Sequence, residues 1–92
     1  MSRTITPAVL LAAAEHTAGD YQRLLAGSEH TPAKYRTAAM LATQLADDFE
    51  AIALVSGHAV AHGWRVAARR SRIAATAHEN AAAILDELAA LA

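Results

Sequence analysis

No cysteine occurs in the 92 residues. Disulfides and thiolate chemistry are therefore excluded, and the chain suits a reducing compartment. The four glycines stand singly, so no glycine-rich loop is present to cradle a phosphate. Long apolar runs are missing as well. The longest stretch free of Asp, Glu, Lys and Arg is residues 51–64, which is too short to cross a bilayer and contains His58, His62, Gly57 and Gly63. A secretory signal is not visible: Met1 and Arg3 lead into an apolar run that meets Pro7 and then Glu15 and His16. No alternating run bounded by turns predicts a strand, and no repeat of fixed period is found. The expectation is a soluble, cytoplasmic protein with no membrane association.

Charge of one sign is lacking too. The formal net charge is −1 and the pI is near 6.5. The whole molecule therefore has no general attraction for polyanions, and only a local patch can supply one.

What the chain does have is apolar residues, 54% of the total, many of them alanine. Alanine is the best helix former but buries little surface. Large apolar side chains are few, and a core built from them is marginal for so short a chain. Alanine-rich helices pack closely and leave smooth faces that a second copy can cover. A two-fold homodimer is the simplest expectation.

Two helix starts are marked by local chemistry. Thr6 precedes Pro7, and Thr31 precedes Pro32. Threonine caps a helix by accepting a backbone N–H, and proline at the first helical position gives up a donor that has no partner anyway. Gly27 reads as the stop of the first helix. Helix 1 is predicted over about 7–26, with Leu10, Ala14, Thr17, Tyr21 and Leu24 on its apolar stripe. Helix 2 begins at Pro32 and buries Tyr35, Ala38, Leu41, Leu45, Phe49 and Ile52.

The end of helix 2 has two candidates, Ser56-Gly57 and Gly63. Charge favours the first. A helix starting at Trp64 would hold Arg65 at its positive end, with Arg69, Arg70 and Arg72 close behind, and each such charge opposes the helix dipole by roughly 0.3–1 kcal/mol. A break at Ser56-Gly57 moves most arginines inside a longer helix. Helix 2 then covers about 32–55 and helix 3 about 58–90. The apolar stripe of helix 3 is predicted as Val60, Gly63, Val66, Ile73, Ala77, Ile84, Leu88 and Leu91, with Gly63 allowing close approach of a neighbour. The fold expected is an all-α antiparallel bundle of three helices in a single domain, residues 1–92, whose last two helices can form a long hairpin.

Candidate chemistries follow from this layout. His58 and His62 share a helix face at the spacing that presents two imidazoles to one metal. No third ligand accompanies them, Ala59 stands where a zinc peptidase motif has glutamate, and the same face continues into arginines. No metal site is expected, and no cofactor. Glu15-His16 and Glu29-His30 are adjacent pairs whose side chains diverge by about 100° on a helix, a poor acid–base geometry. Catalytic residues are not expected, and the chain reads as a non-enzyme.

Arg65, Arg69 and Arg72 line one side of helix 3, with Arg70 nearby. Such a stripe can contact phosphates, but the residues that commonly accompany base reading are absent beside it, and no helix-turn-helix is apparent. An antiparallel hairpin sets Asp47, Asp48 and Glu50 opposite this region, so pairing within the chain competes for the arginines. Trp64 lies at the edge of the predicted stripe, and tryptophan is enriched at binding hot spots.

The leading expectation is a small regulatory or interaction protein. It would self-associate through Ile84, Leu85, Leu88 and Leu91, and bind a partner protein through Trp64, Arg65, Arg69 and Arg72. The alternative is a nucleic-acid-binding transcriptional regulator using the Arg65–Arg72 stripe.

Overall fold

A computed structural model describes residues 6–92. Met1 and Arg3, part of the signal-sequence reading, lie outside the described residues. The chain forms three α-helices: α1, Pro7–Ala26; α2, Pro32–Leu54; and α3, His58–Leu91. All three begin where the sequence places them, and their ends fall within one residue of expectation. No strand occurs among the described residues.

The starts are set by the expected caps. Thr6 Oγ1 accepts the N–H of Val9 at 3.3 Å, and Thr31 Oγ1 accepts that of Lys34 at 3.1 Å. The stop at Gly27 uses no left-handed backbone: its φ is −65°, and its N–H donates to the Leu24 carbonyl. Gly57 precedes α3 without any side-chain cap.

The framework is an antiparallel hairpin of α2 and α3, whose Cα atoms come within 8 Å of one another along its length. Alanine makes that approach possible. Ala61, Ala68, Ala75 and Ala82 are the buried apolar residues of α3, and they recur every seven positions. On α2 the buried set includes Ala39, Ala46 and Ala53, at the same interval. A seven-residue repeat keeps one line of side chains facing a partner helix over many turns. The aromatic contacts Phe49–Trp64 and Tyr35–His78 fix the register. At that register Ala53 is level with Ala61, Ala46 with Ala68, and Ala39 with Ala75. Small residue meets small residue in these three layers, so the two backbones close on each other.

Helix α1 lies along α2 and reaches α3 through side chains rather than by close backbone approach. Its buried residues are Ala14 and Thr17, and Leu10, Tyr21 and Leu24 are half-buried. The Thr17 hydroxyl is satisfied by the Ala13 carbonyl at 3.1 Å. Ala14, Leu45 and Ile52 form the centre of the larger-residue core, with Leu10, Ala18, Phe49 and Trp64 packed against them. The predicted stripes of α1 and α2 are both on the buried side.

The predicted stripe of α3 is not. Val60, Val66, Ile73, Ile84, Leu88 and Leu91 are all exposed, as are Gly63 and Ala77. A Cβ placed on Gly63 would meet nothing within 4 Å, so that glycine serves no close packing. The helix has two apolar faces, one of alanine and one of larger residues. The alanine face matches the alanines of α2 and takes the hairpin contact. The result is a rod of 54 × 24 × 24 Å.

Candidate functional site

The outer face of α3 is the most distinctive surface of the molecule. At 1.5 Å per residue, the 34 residues of α3 extend about 51 Å, and the 23 of α2 about 35 Å. The last buried residue of α3 is Ala82, so its C-terminal end projects past the cover that α2 supplies. Ile73 is 65% exposed, Ile84 56%, Leu88 57% and Leu91 84%. With Val66 they lie along one side of the helix, roughly opposite the alanine seam. Arg70, Ala77, Asn80 and Glu87 occupy the intervening positions of this line and are exposed as well. Leu85, the remaining residue of the expected self-association set, is half-buried and faces the hairpin side of the helix.

The arginines are divided by the hairpin. Arg72 is held by two acids of α2, its guanidinium donating to Glu50 at 2.8 Å and to Asp47 at 2.9 Å. These hydrogen bonds, that of Glu50 first, raise its pKa further into the charged range. Both acids are exposed, so the cluster contributes little stability. Arg36 of α2 pairs with Asp86 of α3. Arg65, Arg69 and Arg70 are exposed and make no ion pair among the described residues. Arg65 lines a shallow open depression with Glu50, Ala53 and Leu54. Trp64 does not share this surface fully. It is half-buried, with its ring centroid 5.5 Å from that of Phe49, inside the core cluster.

A polar network closes the other end of the hairpin, and the sequence gives little sign of it. Tyr21 Oη lies 2.5 Å from His78 Nε2. The His78 ring stacks on Tyr35, whose hydroxyl is 2.8 Å from His30 Nδ1. Beside them the buried Lys34 donates to the Gly27 carbonyl at 2.6 Å. Only Tyr21 and Tyr35 announce themselves, as members of apolar stripes. His78 follows Ala75 by three and could have been found from the alanine repeat.

Asp48 is half-buried, and its Oδ2 has no hydrogen-bond partner among the described residues. Burial, and secondarily the negative charge of Asp47, push its pKa up. His58 and His62 lie on the exposed side of the first turns of α3. No group of three or more His, Asp or Glu side chains is placed to hold a metal among the described residues. Among the same residues no helix is long and apolar enough to cross a membrane.

No family model, no curated protein and no solved structure matches the chain.

Proposed function

We propose that this protein is a small non-enzymatic interaction or regulatory protein that acts as a homodimer in the cytoplasm and binds a partner protein. The observation that carries this reading is the exposure of Ile73, Ile84, Leu88 and Leu91 on one face of α3. An exposed line of large apolar residues, interrupted by Arg70, Asn80 and Glu87, marks an interaction surface on a small chain. Its thin internal core adds support, since alanine layers bury little surface and leave stability to be gained by association. The partner protein docks at the opposite end of α3, where Arg65 stands beside the exposed Leu54, with Arg69 one turn further along the helix and Trp64 half-buried next to Arg65 in sequence. Arg72, tied to Asp47 and Glu50, shapes that surface without being free to bind. The test is the dependence of thermal stability on concentration. A folded dimer that dissociates on melting has a midpoint that rises with protein concentration. A midpoint independent of concentration contradicts the reading.

A second reading, nucleic-acid binding, is favoured by one observation: Arg65, Arg69 and Arg70 have no acidic partner among the described residues. Salt separates the two. Phosphate contacts weaken steeply as salt rises, through counterion release, and an apolar helix interface does not.

A further inference from the structure

We infer that two copies of the chain pair antiparallel along the outer faces of α3, with the two-fold axis passing between His78 and Glu79. This inference rests on the self-association reading and specifies its geometry. The exposed line Val66, Arg70, Ile73, Ala77, Asn80, Ile84, Glu87 and Leu91 has the alternating spacing of a coiled-coil seam. Run against a second copy of itself, it is self-complementary. Val66 faces the partner's Leu91, Arg70 faces the partner's Glu87, Ile73 faces the partner's Ile84, and Ala77 faces the partner's Asn80. The two outer apolar layers match, cation meets anion at Arg70, the central layer sets small Ala77 beside a polar Asn80, and two-fold symmetry repeats every layer. Of the positions flanking the seam, Ala74, Thr76, Ala81 and Ala83 at its centre are small, so the helices can close there, and Arg69 and Leu88 flank its outer layers.

Charge selects this arrangement over its competitors. The cations Arg65, Arg69 and Arg70, which make no ion pair among the described residues, lie in the first half of α3, and the anions Glu79 and Glu87, likewise without one among those residues, lie in the second. A parallel pair would set Arg70 against Arg70 and Glu87 against Glu87, and like charges in juxtaposition are strongly unfavourable. Sliding the antiparallel pair by one heptad either leaves Val66 and Arg70 with nothing opposite or sets Arg70 against Asn80, Glu87 against Gly63 and Leu91 against Ala59. Slid one way, it also sets Asn80 against Ile84. Only one register keeps all the layers matched. The Arg70–Glu87 layer then does for orientation what charged seam residues do in coiled coils, at some cost in stability.

The double variant Val66→Cys/Leu91→Cys tests the geometry. Both positions are exposed, the chain has no other cysteine, and the two lie too far apart on one helix to bond within a chain. Oxidation followed by peptide mapping is expected to give a linkage from position 66 of one chain to position 91 of the other. Alongside it, Arg70→Glu or Glu87→Arg alone is expected to weaken dimerisation by about tenfold or more, and an equimolar mixture of the two variants to recover it. Linkages of 66 to 66 and 91 to 91 overturn the antiparallel pairing and leave self-association standing. An unchanged dimerisation constant in Arg70→Glu overturns the register. A wild-type chain that stays monomeric overturns both the pairing and the reading on which it rests.

Discussion

Tyr21 of α1 and His78 of α3 are joined across 2.5 Å, hydroxyl to Nε2, although their helices make no close backbone approach. With the imidazole protonated on Nδ1, the phenol donates and the ring accepts. This bond, with the packing of Trp64 against the cluster that holds Ala14, ties the short first helix to the long third one. Tyr21→Phe keeps the ring and removes the bond. The expected loss is about 0.5–1.5 kcal/mol, read from urea denaturation. His78→Ala combined with Tyr21→Phe should cost less than the two single losses added, because both remove the same bond.

The alanine seam predicts a sharp size limit. Ala68 is 2% exposed between α2 and α3. Ala68→Leu forces the hairpin apart and should destabilise it by about 1–3 kcal/mol. Ala59→Leu, at an exposed position of the same helix, should stay within about 0.5 kcal/mol of wild type. Equal effects at the two positions would mean that the seam is not tightly packed.

The cap of α2 is a local test of the same framework. Thr31→Ala removes the acceptor of the Lys34 N–H and should cost about 0.5–2 kcal/mol, read as a lower denaturation midpoint.

Asp48 predicts a pH dependence whose sign is opposite to that of a salt-bridged acid. Its pKa is raised on folding, so the folded chain holds this proton more tightly than the unfolded one. Its contribution therefore falls as pH rises from the ordinary carboxylate range through the folded pKa. Asp48→Asn removes the charge that burial penalises. The variant should melt higher than wild type at pH 7, and the gain should shrink as pH falls toward 4. Thermal scans at both pH values check this.

The helices were legible in the sequence because their signals are local. Thr6-Pro7 and Thr31-Pro32 fix two starts by backbone chemistry alone, and the arginine-rich stretch chose Gly57 over Gly63 through the helix dipole. The buried faces of α1 and α2 were legible because Leu45, Phe49 and Ile52 are large. The face that α3 turns to α2 was not. Its buried line is alanine, and hydropathy gives more weight to Val66, Ile73, Ile84 and Leu88 on the other side. Which apolar face meets the hairpin partner is decided by size matching with Ala39, Ala46 and Ala53, a property of two helices together. The arginine pairing was legible only in outline. Helical side chains lean toward the N-terminus of their helix, so Arg72 reaches back to Asp47 and Glu50, which lie opposite earlier residues, while Arg65 and Arg69 make no ion pair among the described residues. His78 lay within the sequence unnoticed, because nothing local announces a bond to a tyrosine 57 residues away.

The central claim is that the outer face of α3 holds two chains together. Sedimentation velocity of the wild type beside Ile84→Glu, at micromolar concentration, tests it most directly. Ile84 is 56% exposed in the single chain, so the substitution should leave the helical circular dichroism intact. The account predicts a dimer for the wild type and a folded monomer for Ile84→Glu. A wild-type monomer, or a variant that sediments as the same dimer, would contradict it.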